Sequence, residues 1–188
     1  MSETRIAAPV LVAGVIFAVT FALGLGLAFV YPESGSIVVS TARDQVFSVL
    51  QDDNPATLSV KIFLNNLQTS LLLFFGGAAL GFVTIFILGV NGVVTGTVVG
   101  VVLQQKSVWY VLASIAPHGV FEIPAFLLAG GLGLLLGEAL LREWREGSGA
   151  APRARRLGLV FIRVVVPLLA VAACVEAFIT PALVHVIF

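Results

Sequence analysis

Long uncharged stretches, separated by two polar ones, set the architecture of this chain. Residues 7–31 carry no charge, and neither do residues 62–104. A bilayer crossing needs roughly 20 apolar residues. The first stretch therefore predicts one span, and the second, too long for one, predicts two. Asn91-Gly92 is a turn dipeptide between apolar runs, so the break is placed there. Residues 108–141 hold only Glu122 and Glu138 as charges, and residues 157–188 hold only Arg163 and Glu176. The pattern predicts an all-α, multi-pass membrane bundle of about five helices in a single transmembrane domain over residues 1–188. The spans fall near 7–31, 65–88, 92–104, 108–141 and 157–188. The fourth is expected to break at Pro117-His118-Gly119, because proline removes a backbone donor and disturbs the preceding turn.

Two connections carry most of the polarity. Residues 33–61 include Glu33, Arg43, Asp44, Asp52, Asp53 and Lys61. Val46, Phe47 and Leu50 recur there at helical spacing, which predicts an outer amphipathic segment. Residues 142–156 hold five arginines around a flexible Gly-Ser-Gly-Ala-Ala-Pro core. Arg5 precedes the first span. With five spans these basic groups fall on one side, so the positive-inside rule places the amino terminus in the cytoplasm and the carboxyl terminus outside. The expected location is the cell membrane. The first apolar run exceeds the usual length of a signal-peptide core and lacks a small-residue cleavage site with a polar flank, so it reads as a retained span. Arg163 can snorkel from the inner part of the last span, and Glu138 with Arg142 forms an i,i+4 ion pair.

Composition agrees with this division. Of 188 residues, 59% are hydrophobic and 11% charged, against about 25% charged in a soluble domain. Mean hydropathy is +1.10. A soluble enzyme and a disordered chain are excluded. Zero net charge provides no global field for nucleic acid. One cysteine, Cys174, excludes an internal disulfide and a cysteine-built zinc site.

Small residues recur at four-residue spacing. Gly92, Gly96 and Gly100 line one face of the third helix, Gly77 and Gly81 the second, and Gly133 and Gly137 the fourth. Such faces let helices approach closely in lipid. They read as ordinary packing seams or, functionally, as a glycine zipper forming a pore or dimer seam.

Ionisable groups inside a bilayer are costly, by about 2.5–3.5 kcal/mol at a helix centre. His118, Glu122 and Glu176 are such groups. His118 and Glu122 sit four residues apart and share a helix face. Glu176 has no local charged partner, so its partner must come from another helix, with His118 or Asn65-Asn66 able to supply donors. Gln68, Thr69 and Ser70 extend that polar patch, and Pro124 and Pro181 are further helix-disturbing positions nearby. The residues form either a hydrogen-bonded packing cluster, a proton- or cation-binding site, or a metal site, since His and carboxylates are normal zinc ligands. No H-E-x-x-H spacing and no hydrolase, Walker or dinucleotide motif is present. No enzyme activity and no cofactor is expected, and the metal question stays open.

Residues Pro117-His118-Gly119-Val120-Phe121-Glu122-Ile123-Pro124-Ala125 resemble the hallmark of the stage II sporulation protein M family. The likeness continues through Ala129-Gly130-Gly131-Leu132-Gly133, the Phe63-Leu64-Asn65-Asn66 entry to the second helix, and Ala173 to Pro181. It covers about residues 60–188. Members of the family are small multi-pass membrane proteins of bacteria and archaea. In spore formers the namesake belongs to a complex that remodels peptidoglycan during engulfment, where partner proteins carry the hydrolytic activity. The resemblance implies a non-enzymatic scaffold for cell-envelope proteins, set among membrane lipids and self-associating, as a dimer for example. The alternatives read from the residues are a small transporter or channel with a His/Glu/Asn site, and an intramembrane metal-binding protein.

Overall fold

The computed structural model describes residues 6–33, 35, 37, 40 and 54–187. Every regular element among them is helical. We label the helices α1 (Ala7–Val30), α2 (Pro55–Phe75), α3 (Phe82–Gln105), α4 (Val108–Glu146) and α5 (Ala151–Ile187). All five are long and apolar enough to cross a membrane. Trp109 and Trp144, near opposite ends of α4, are 71% and 78% exposed, as expected of indole rings at the two membrane–water interfaces.

The break between the second and third spans is displaced from the expected position. Asn91 and Gly92 lie within the uninterrupted α3. The chain turns instead through a 3₁₀ turn at Gly76–Ala79, followed by Leu80 and Gly81 in left-handed conformation (φ 54° and 87°). Glycine meets that requirement at Gly81 without a Cβ penalty. Asn91 stays helical because its Nδ2 donates to Ile87 O at 2.9 Å. Gly92 is small for packing: a Cβ there would fall on Thr20 Oγ1.

Span boundaries move accordingly. Asn54 caps α2 by accepting from Thr57 N at 2.9 Å, with Pro55 at the first helical position. Asn65 and Asn66 therefore lie ten and eleven residues past the start of the helix rather than at its entry. The expected amphipathic segment around 46–50 lies outside the described residues, and residues 55–61 belong to α2. The arginine-rich connection shrinks to residues 147–150, because α4 runs on to Glu146 and α5 starts at Ala151. Gly147, at φ 67°, ends α4.

The fourth span is also not broken at Pro117-His118-Gly119. Both prolines lie inside one 39-residue helix. Intramembrane helices tolerate proline when packing against neighbours supports the disturbed turns. The irregularity appears in α5 instead, as π-turns at Phe161–Val165 and Val175–Ile179.

Close approach of backbones holds the bundle together. Gly92, Gly96 and Gly100 face α1 within the same chain: a Cβ on Gly96 would fall on the Phe21 carbonyl, and one on Gly24 on the Val93 carbonyl. Thr97 Oγ1 donates to Gly24 O at 3.2 Å and Gln104 Nε2 to Ala28 O at 2.9 Å. On α4, Gly133 and Gly137 receive the 76–81 turn, with Gly133 against Leu73 O and Gly137 2.7 Å, by its Cβ position, from Gly81 N. Gly77 and Gly81 thus belong to that turn and do not share a face of the second helix. At the arginine-rich end, Glu138 holds two guanidiniums, Arg142 at 2.7 Å and Arg153 at 2.9 Å, which ties α4 to α5.

Thr84 Oγ1 donates to Leu73 O at 2.8 Å, and both residues are fully buried. The bond satisfies a last-turn carbonyl of α2 where the helix ends. Thr84→Val is expected to destabilise the protein by about 1–3 kcal/mol, the usual cost of an orphaned buried acceptor. Thermal unfolding in detergent checks this, with Thr84→Ser expected to hold near the wild-type midpoint.

Candidate functional site

Three helices bring their polar residues to a common depth. His118 and Asn65 each lie ten residues past the starts of α4 and α2, and Glu176 lies eleven before Ile187. At about 1.5 Å per residue these positions are some 15 Å from one end of the bundle, near the middle of a ~30 Å hydrocarbon core.

The local sequence explains how each group is aimed. His118 and Glu122 are one turn apart on α4, with His118 Nε2 3.9 Å from Glu122 Oε2. On α5 the π-turn Val175–Ile179 inserts an extra residue into the helical register. Thr180 Oγ1 donates to Val175 O at 3.3 Å across that turn. The same hydroxyl lies 3.5 Å from His118 Nδ1. With its proton on Val175 the hydroxyl can accept from a protonated Nδ1; with its proton turned to the ring it donates to a bare Nδ1. In the tautomer protonated at Nδ1, Nε2 is left as an acceptor facing Glu122. Glu176 completes the group: one ligand atom from each of His118, Glu122 and Glu176 lies within 4.8 Å of the others.

Two carboxyl groups and an imidazole converge at mid-membrane depth, and no Lys or Arg is paired with them among the described residues. A proton or a cation between them supplies the positive charge that the arrangement lacks.

Two cavities meet at Glu122. The larger, about 440 Å³, is mostly apolar and is lined by Phe17, Val111, Ile115, His118, Glu122 and Phe126 among others. The smaller, about 200 Å³, is polar and is lined by Asn65, Asn66, Thr69, Ser70, Asn91 and Glu122, with Phe126 and Leu169. Ser70 is 1% exposed and its hydroxyl has no hydrogen-bond partner among the described residues. A buried hydroxyl lining a polar cavity in this way is a normal site for an ordered water or a polar ligand.

The structure thus brings His118, Glu122 and Glu176 together and sets Asn65 and Asn66 on a cavity that Glu122 shares. Gln68 is exposed and does not line that cavity, and Pro181 is exposed beside Thr180. His185 is exposed in the last turns of α5, apart from the cluster. Cys174 accepts from Ser59 Oγ at 3.6 Å and is not one of the clustered groups. Two members escape a reading of the sequence. Asn91 is hidden by its own turn-forming dipeptide. Thr180 is hidden because a hydroxyl near a helix end is unremarkable without the π-turn that points it at the ring.

Fold and site together define a multi-pass helical membrane protein with an ionisable cluster buried in its bundle. The chain belongs to the stage II sporulation protein M family: the family model of that description matches residues 8–181. No curated protein and no solved structure gives a match.

Proposed function

We propose that this chain is a small membrane transporter or channel whose cation site is formed by His118, Glu122 and Glu176. The observation that carries this reading is the position of Glu122, which belongs to the ionisable cluster and lines both cavities. A carboxylate shared by two compartments can exchange a cation between them, and an intramembrane ionisable group is by default a functional group. Asn65, Asn66 and Ser70 provide polar atoms for a partly hydrated ion on one side of it. In the orientation that the arginines favour, with the amino terminus in the cytoplasm, the starts of α2 and α4 and the end of α5 face outward.

The test is flux in liposomes containing the purified protein, under imposed proton and metal-ion gradients of either sign. Flux above that of empty liposomes is expected. Its absence under every gradient overturns the transport reading. The scaffold role in a cell-envelope complex, which family membership favours, then takes its place.

A further inference from the structure

We infer that the ion held by His118, Glu122 and Glu176 is a divalent transition metal of the zinc type, a conclusion that rests on the cation-site reading above and names its substrate class. The donor set is one imidazole nitrogen and two carboxylate oxygens, which suits Zn²⁺ and neighbouring first-row dications. Charge argues the same way. A bound metal displaces the protons of its ligands, and two carboxylates with a neutral imidazole then sum to −2, which a monovalent ion leaves half-compensated in a low-dielectric setting and a dication neutralises. A soft, thiolate-selecting metal is not favoured, because Cys174 is not in the cluster.

The geometry is that of a three-ligand site with an open position. His118 Nε2 and Glu122 Oε2 are 3.9 Å apart, and all three donor atoms fall within 4.8 Å. Tetrahedral ligands at about 2.0–2.1 Å from zinc are about 3.3–3.4 Å apart, so the two glutamate side chains must draw in by about 0.5–1.5 Å to close on the ion. His118 and Glu122 both line the larger cavity, so the fourth position can be filled by water from that side. In the tautomer protonated at Nδ1, Thr180 supplies the outer support that metal-bound histidines normally have, its hydroxyl oxygen accepting from Nδ1–H and leaving Nε2 for the ion.

Binding of Zn²⁺ to the full-length protein in detergent, followed by calorimetry, and the visible spectrum with Co²⁺, test the inference. One ion per chain is expected, with an intense low-coordinate Co²⁺ spectrum. His118→Ala and Glu176→Gln are expected to abolish both. Thr180→Val leaves the three ligands in place and is expected to weaken binding by about 10–100-fold, with Thr180→Ser, which keeps the hydroxyl, expected to restore it. Wild-type protein that binds neither ion overturns the metal assignment, and so does binding that the first three substitutions leave unchanged. Proton flux without metal binding overturns the metal and leaves the transport reading standing. Metal binding without flux supports the site and removes transport.

Discussion

Glu122→Gln is expected to abolish cation flux while the helical bundle stays folded. Glutamine keeps the shape of the side chain and its place between the two cavities. It removes the negative charge that holds the ion beside His118 and Glu176. An ionic contact of this kind contributes about 1.5–3 kcal/mol, so the loss in ion affinity is expected to exceed about tenfold. Flux in liposomes and the thermal midpoint of the same preparation give the two readouts. If the cluster only fixes helix packing, the substitution lowers the midpoint and any flux by the folded fraction alone. Retained flux at wild-type rate with an unchanged midpoint removes Glu122 from the ion path.

Gly96→Leu is expected to have the largest effect on folding. The Gly96 backbone rests on α1, where even a single Cβ would coincide with the Phe21 carbonyl and would lie 2.9 Å from Leu25 N. No side chain can swing aside, since the obstructing atoms are backbone, so α1 and α3 must separate. Separation also breaks the bonds from Thr97 to Gly24 and from Gln104 to Ala28. Overpacking a core costs about 1–3 kcal/mol in typical cases, and a rigid backbone obstacle belongs at or above the top of that range. Size-exclusion chromatography and thermal unfolding are expected to show loss of the monodisperse folded species. Gly149→Leu, at a position with open space around it, is the control and is expected to leave the midpoint unchanged. A Gly96→Leu protein as stable as the wild type would mean that the α1–α3 seam is not closely packed.

The spans and the clustered residues were legible for different reasons. Hydrocarbon thickness dictates run length, so uncharged stretches reveal the number of crossings. The cost of a buried charge singles out His118, Glu122 and Glu176 without any knowledge of their partners. Boundaries were less legible, because one residue type serves several ends. Glycine at 92 reads like a turn after asparagine, yet it is small so that Thr20 and Phe17 can approach. Glycines 77 and 81 read like a helix face, yet they belong to the turn. The prolines at 117 and 124 suggest a broken helix, while α4 continues through both. Local propensity predicts an interruption there, and packing of the neighbouring helices against α4 overrides it.

The π-turn at Val175–Ile179 makes the spacing between residues part of the site. Each residue of a regular helix turns the next by about 100°. The π-turn already absorbs one extra residue, so removing one from this segment would restore regular winding at nearly the same facing, whereas inserting one more would swing Thr180 and everything after it around the helix axis. The carboxyl-terminal turn would keep its composition and its apolarity, and yet lose its alignment with His118. Among relatives of this chain, further insertions between Glu176 and Thr180 are therefore a sharper marker of a changed site than substitutions are.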